Sequence, residues 1–117
     1  MKKMNNSDLI LRILEKHKGR DNAIPAKALA IKAHLPEREV RRIISRLVTE
    51  QKCLIASSVH EPFGFYLIKN MDELKGCLDQ YYSRIVKLKD RAASLYETGL
   101  KKFSKEVQGE FKYGKFL

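Results

Sequence analysis

The sequence predicts an α+β fold that is mostly helical: three helices, a two-stranded hairpin and a long fourth helix. Three observations predict it. The window 26–45 has the apolar spacing of two helices that cross at a tight turn. Two short apolar runs, 53–57 and 65–68, flank a loop that contains proline and glycine, which is typical of a β-hairpin. From 71 to 95 apolar residues recur three and four apart without a break, which predicts one long helix.

Composition narrows the class of protein. The chain has 117 residues, of which 44% are hydrophobic, enough for one small core with an appended helix. Its formal net charge of +10 indicates a polyanionic partner, with nucleic acid favoured over an anionic membrane surface. The basic start is followed by no continuous apolar segment, and no run of about 18 apolar residues exists. We therefore expect a cytoplasmic protein that does not span a membrane.

Residues with catalytic or metal-binding chemistry are few and scattered. Cys53 and Cys77 lack a CxxC partner and are expected to be reduced thiols. The histidines at 17, 34 and 60 show no ligand spacing. No nucleophile with a neighbouring base and no glycine-rich phosphate loop is evident. The sequence therefore predicts no metal, no cofactor and no enzymatic activity.

The first three helices have recognisable starts and stops. Ser7 is the predicted N-cap of a helix over 8–18, and Gly19 ends it. Pro25 occupies the first position of a second helix that runs to 33. Pro36 opens the third helix, and His34 lies in the turn before it, where a left-handed backbone is typical and glycine is common. The third helix has one apolar side that must face the core: Val40, Ile43, Ile44 and Leu47.

The opposite side of the third helix carries the candidate DNA-binding residues. Arginine pairs with phosphate or takes a guanine edge through two hydrogen bonds, and serine and threonine contact phosphate or thymine methyl groups. The face is centred on Arg38, Arg42, Ser45 and Thr49, with Arg41 and Arg46 at its two edges. The plainer interpretation is a solvated helix face. Glu37 and Glu39 would repel phosphate unless they face away or accept from cytosine.

Further contacts are predicted outside that helix. Lys27 and Lys32 of the second helix would hold phosphates. The hairpin tip has no lysine or arginine, but Ser57, Ser58 and His60 could touch phosphate. The alternative is a short hairpin with a packing role.

The long helix begins with a capping signal and continues as a heptad seam. Asn70 is the predicted N-cap, Glu73 completes a capping-box-like pair, and Gly99 ends the seam. Such a seam either packs back on the first helix or pairs with a second copy as a coiled coil, and its length favours the second copy. The predicted dimerisation residues are Leu74, Leu78, Tyr81, Ile85, Leu88, Ala92 and Leu95.

Beyond the seam, 100–117 is a tail in which lysines alternate with aromatic residues. It could bind nucleic acid, form an arm exchanged across a dimer, or be a disordered end. The domain organisation is thus a head over 1–69, a dimerisation helix over 70–99 and this tail.

The order of motifs resembles a known family. Ile24-Pro25, Leu29-Ala30, Glu37-x-x-Val40-x-x-x-Ile44-x-x-Leu47, Ile55-Ala56-Ser57-Ser58 and Gly64-Phe65-Tyr66-Leu67 carry the resemblance. They are similar to the winged helix-turn-helix domain at the front of biotin-repressor-type regulators, and to small bacterial and prophage-borne winged-helix proteins. The resemblance covers about 9–74. His34 in place of glycine and the uncharged wing depart from the pattern.

The resemblance implies a winged-helix DNA binder whose third helix reads DNA. The biotin-ligase portion is absent, so no ligase activity is implied. We expect a sequence-specific double-stranded DNA-binding protein, a homodimeric transcriptional regulator or a phage or plasmid DNA-metabolism factor. The alternative is a protein–protein assembly module that uses the head for docking and the seam for oligomerisation.

Overall fold

The computed structural model describes residues 4–104 of the chain. It is α+β and mostly helical, as the sequence predicts. The elements are α1 (Asn6–Leu14), a 3₁₀ turn (Arg20–Asn22), α2 (Ala26–Ala33), α3 (Glu37–Thr49), β1 (Ile55–Ser58), β2 (Gly64–Leu67) and α4 (Met71–Phe103). The chain forms two compact units, one up to Cys77 and one from Leu78 onward.

Helix α1 is shifted toward the N-terminus relative to its predicted bounds. Asn5 is the N-cap in place of Ser7, because its Oδ1 accepts the N–H of Asp8 at 2.8 Å. The helix ends at Leu14 instead of residue 18. The chain beyond Leu14 leaves the helix and pairs with β2, since the N–H of Leu67 donates to the carbonyl of His17 and the N–H of Gly19 donates to the carbonyl of Leu67.

The core lies among α1, α2 and α3, with residues of the hairpin against it. The fully buried large side chains are Ile10, Leu14, Leu29, Val40 and Leu47. The predicted apolar side of α3 is confirmed, because all four of its members are buried. Burial of a large apolar side chain contributes about 1.5–3 kcal/mol, so this side fixes α3 to the rest of the unit.

The turn between α2 and α3 has the predicted backbone. His34 adopts φ 56° and ψ 42°, a left-handed conformation. The following N–H, that of Leu35, returns to the carbonyl of Ala30 at 3.1 Å and closes α2. Pro36 is then the N-cap of α3, which begins at Glu37.

The hairpin is antiparallel, and a third segment joins it. Ile55 pairs with Leu67 and Ser58 with Gly64, so the strands lie within two residues of their predicted bounds. Ile24, just before α2, exchanges two hydrogen bonds with Phe65, of 2.9 and 2.8 Å. A Cβ at Gly64 would lie 2.0 Å from the carbonyl oxygen of Ile24, and Gly64 has φ +129°. Only glycine fits this close approach.

The start of α4 belongs to the first unit, where Cys77 is buried together with Ala56 and Tyr66 of the hairpin and one carboxylate accepts backbone N–H groups. Asn70 Oδ1 accepts the N–H of Glu73 at 2.9 Å, as the predicted cap requires. Glu73 in turn accepts the N–H of Lys69 (3.0 Å) and, unpredicted, the N–H of Arg20 (2.8 Å). Burial favours a higher pKa for Glu73, but the two N–H donors and the nearby cations together hold its pKa below the usual value.

Helix α4 continues through Gly99 to Phe103, so it is longer than the predicted 70–99. A single glycine inside a helix costs only about 1 kcal/mol relative to alanine, which the surrounding turns tolerate. Most of the predicted tail, 105–117, lies outside the described residues. Within residues 4–104, no helix combines the length and the apolar character needed to cross a membrane.

Candidate nucleic-acid interface

The outward side of α3 presents the predicted cluster of polar and cationic side chains. Arg38, Arg41, Arg42, Ser45, Arg46 and Thr49 are all exposed. They share this side because the opposite side of the helix is buried against α1 and α2. The structure therefore brings all six predicted α3 residues onto one accessible surface, which we call the α3 outer face.

Carboxylates of α3 itself and of its C-cap residue are paired with three of these arginines. Arg41 Nη2 lies 3.2 Å from Glu37 Oε1. Arg42 contacts both carboxylate oxygens of Glu39, with Nε 3.1 Å from Oε2. These two glutamates are the ones that the sequence analysis identifies as repelling phosphate, and they face the arginines.

The third pair joins Arg46 Nε to Glu50 Oε2 at 3.7 Å. Arg38 is different, because no carboxylate among residues 4–104 forms an ion pair with it. All three arginines are solvent-exposed and only Glu39 among their partners is half-buried, so the pairs are of the kind that contributes about 0–1 kcal/mol. An arginine can therefore leave its glutamate for another anion at little cost to folding.

The pair between Glu39 and Arg42 shifts both ionisations. The side-chain hydrogen bond from Arg42 holds the pKa of Glu39 below its usual value, and the same bond raises the pKa of Arg42. Glu39 is consequently ionised at neutral pH, and the guanidinium of Arg42 faces a charged acceptor.

A groove connects the α3 outer face to the hairpin. Lys27, Arg41 and Ser57, all predicted contacts, line it together with Glu37 and Phe63. The guanidinium carbon of Arg41 lies 5.8 Å from the centre of the Phe65 ring, in cation–π range. The groove thus gathers two cations and a hydroxyl next to the N-terminal half of α3.

The hairpin tip has a different character. Ser58 is 7% exposed, and its hydroxyl donates to the carbonyl of His60 at 2.6 Å. Because this hydroxyl is buried and engaged within the loop, we leave Ser58 out of the proposed contacts. His60 is exposed, and so are the apolar side chains of Val59 (44%) and Phe63 (54%).

Two polar residues at the end of α3 are tied to its backbone. The hydroxyl of Thr49 donates its hydrogen to the carbonyl of Ser45 at 2.9 Å, which leaves its methyl group and two acceptor lone pairs for a ligand. Lys52, which the sequence analysis missed, has φ 60° and its ammonium donates to the carbonyl of Thr49 at 3.0 Å. A cation that follows a helix C-terminus is the signal that could have found it. Lys32, the remaining predicted phosphate contact, is exposed on α2.

A second candidate surface lies on α4. Most of the predicted dimerisation residues have exposed apolar side chains. The exposed fractions are 39% for Leu78, 50% for Tyr81, 56% for Ile85, 60% for Leu88 and 70% for Leu95. Ala92 is also exposed, whereas Leu74 is half-buried. We call the line from Leu78 to Leu95 the α4 seam.

Neither a metal site nor a known relative supplies further assignment. In the described part of the chain, no group of three or more histidine, cysteine, aspartate or glutamate side chains could hold a metal ion. Comparison of the chain with protein-family models, curated proteins and solved structures found no match. The α3 outer face and the α4 seam are therefore the two surfaces from which a function can be inferred.

Proposed function

We propose that this protein binds double-stranded DNA as a winged-helix protein, with α3 in the major groove. The observation that carries the proposal is the arrangement of α3: one side is buried in the core and the other presents exposed arginines. The hairpin after α3 and the pairing of Ile24 with β2 support a winged-helix architecture. A helix of this kind, after a tight turn, can dock against base edges.

The proposed contacts divide by chemistry. Arginine, serine and threonine on α3 reach base edges and phosphates, whereas cations at the margin of the surface reach phosphates only. The first group is Arg38, Arg42, Ser45, Arg46 and Thr49; the second is Arg41, Lys27 and Lys32. Ser57 and His60 of the hairpin would add phosphate contacts.

The ion pairs of α3 are compatible with this role. Arg38 is available without breaking a pair, and the three paired arginines hold exposed, weak partners. A phosphate that replaces a glutamate accepts the same guanidinium hydrogen bonds. The released glutamate then lies near the duplex, where it repels phosphate unless it accepts from the amino group of a cytosine.

The α4 seam supports the second part of the proposal, a homodimer. Two heads joined through their long helices would place two α3 helices on one duplex and match a site with two-fold symmetry. A transcriptional regulator is the role we propose for such a dimer, and a factor in phage or plasmid DNA metabolism would use the same contacts.

Salt dependence of duplex binding tests the proposal. If a dimer neutralises about six to ten phosphates, affinity falls about 10³- to 10⁵-fold between about 50 and 200 mM salt. Fluorescence anisotropy with a random-sequence duplex, then with sites selected from a random pool, measures this and the specificity. Binding that does not respond to salt would contradict the proposal.

A matched pair of variants locates the contact. The double variant Arg38→Ala, Arg42→Ala should lose most duplex binding. Arg84→Ala, Arg91→Ala removes the same charge from α4 and should keep it. Equal losses in the two double variants would mean that net charge alone, and not α3, binds DNA.

One observation favours a second candidate, a protein-docking module. The hairpin tip exposes Val59 and Phe63 beside Glu61 and has no cation, which suits a protein surface better than phosphate. Replacing both apolar side chains by serine separates the two candidates. Unchanged duplex affinity with loss of a salt-insensitive protein partner would favour docking.

A further inference from the structure

The residues beside the α4 seam have one sign of charge. With Leu78, Ile85 and Ala92 at the a positions of a heptad and Tyr81, Leu88 and Leu95 at the d positions, the flanking e and g positions follow. The e positions are Lys75, Tyr82, Lys89 and Tyr96, and the g positions are Cys77, Arg84, Arg91 and Thr98. Every charged residue at these positions is basic.

This bias does not reflect a lack of acidic residues in the helix. Asp79, Asp90 and Glu97 belong to α4, but they fall at b and f positions, away from the seam. The guanidinium of Arg84 lies 5.7 Å from the centre of the Tyr81 ring, against the seam itself. Within residues 4–104 no ion pair neutralises Arg84, Lys89 or Arg91.

Pairing of the α4 seam with a second copy of itself would place like charges opposite each other. In a parallel pair, each g position faces the e position of the next heptad, which sets Arg84 against Lys89 of the other copy. In an antiparallel pair, g faces g and e faces e, so arginines meet arginines or neutral residues. No register of two identical seams brings opposite charges together.

We propose that the α4 seam binds a helix of another protein whose flanking e and g positions are acidic, more tightly than it binds a second copy. Apolar a and d residues supply the contact area, and glutamates on the partner would pair with Arg84, Lys89 and Arg91. The seam repeats at a and d positions with cations beside it, which is the pattern of a helix that pairs with another helix. This inference goes beyond DNA binding and makes the homodimer the weaker of two complexes.

Titration of the full chain with synthetic helices tests the inference. Three peptides of about four heptads share the same a and d residues and carry glutamate, lysine or glutamine at e and g. We expect the glutamate peptide to bind at least about tenfold more tightly than the glutamine peptide at about 50 mM salt. The difference should shrink at about 500 mM, where charges are screened within a few ångströms.

Sedimentation of the full chain, alone and mixed with each peptide, compares the stability of the homodimer with that of the peptide complex. Full-chain homodimers more stable than the complex with the glutamate peptide would overturn the inference. So would equal affinity for the three peptides, or binding only to vesicles of anionic lipid.

A charge-reversed form of the full chain provides the second test. The variant Arg84→Glu, Lys89→Glu, Arg91→Glu should prefer the lysine peptide, and mixing it with the unchanged chain should give mixed dimers in excess of either homodimer. The control Asp79→Lys, Asp90→Lys alters the outer positions and should keep the original preference. Duplex binding through α3 is measured separately, so that loss of either activity alone shows which proposal fails.

Discussion

Helices α3 and α4 are both amphipathic, yet they use their two sides in opposite ways. In α3 the apolar side is buried in the core, and three of its four arginines are paired with glutamates of the helix or of its C-cap. In α4 the seam is exposed, and its flanking cations have no ion-pair partner among residues 4–104. Burial of the apolar side chains of α3 therefore stabilises the fold, whereas the apolar side chains of the α4 seam remain available for association.

The largest expected effect is on folding stability, and it differs between the buried apolar side of α3 and the exposed α4 seam. Leu47 is 1% exposed, and Leu47→Ala should lower the free energy of unfolding by about 2–5 kcal/mol because it opens a cavity in the core. Leu88 is 60% exposed, so Leu88→Ala should change it by less than about 0.5 kcal/mol in the monomer. Urea denaturation at low protein concentration measures both. Similar losses in the two variants would show that the α4 seam is buried in solution.

The next effect is on duplex affinity, and it differs between the cations of the α3 outer face and those beside the α4 seam. Arg38→Ala should weaken binding to a selected duplex about 5- to 150-fold, because Arg38 is exposed on the α3 outer face and no carboxylate among residues 4–104 forms an ion pair with it. Arg91→Ala, an equal loss of charge from α4, should change affinity less than about threefold. Anisotropy titrations at constant salt measure both, and a reversed order would place the DNA contact on α4.

A smaller effect is expected where α4 begins. Glu73→Gln should lower the free energy of unfolding at neutral pH by about 1 kcal/mol, since the carboxylate accepts two backbone N–H groups. The pKa of Glu73 is lower in the folded protein than its usual 4.5, so its contribution is full above that value. The contribution disappears as pH falls through the lower folded pKa.

Thermal unfolding of both forms between pH 7 and pH 3 measures this contribution. The unchanged chain should lose more stability than Glu73→Gln toward acid. Parallel curves would mean that Glu73 contributes nothing through its charge.

The smallest effect concerns the pairs on α3. Glu39→Gln removes the carboxylate that holds Arg42 and should tighten duplex binding by about two- to fivefold, with stability nearly unchanged. Asp90→Asn makes the same charge change on α4 and should leave affinity almost unaltered. Weaker binding by Glu39→Gln would instead indicate that Glu39 accepts a hydrogen bond from a base.

Local patterns allowed most of the fold to be predicted. The buried side of α3 and the left-handed backbone at His34 follow from residue type and spacing within a few positions. The pairs of Glu37 with Arg41 and Glu39 with Arg42 have the spacing of neighbours on a helix surface, so these pairs could also have been predicted from the sequence.

Long-range backbone contacts were not predictable in the same way. Glu73 bonds to the N–H of Arg20, and every residue but proline has such a group, so no side-chain pattern marks the partner. The pairing of Ile24 with Phe65 likewise depends on tertiary approach. The N-cap of α1 is Asn5 and not the predicted Ser7, because the two residues lie close together and both residue types are good caps.

The glutamates along α3 act as resident counter-ions. An anion that approaches Arg41, Arg42 or Arg46 has to compete with a carboxylate that is already in place. A lone phosphate or a sparse polyanion gains little from that exchange, whereas a ligand with several correctly spaced oxygens can displace all three at once. In the proposed DNA complex, the helix would thereby discriminate by the arrangement of negative charge as well as by its amount.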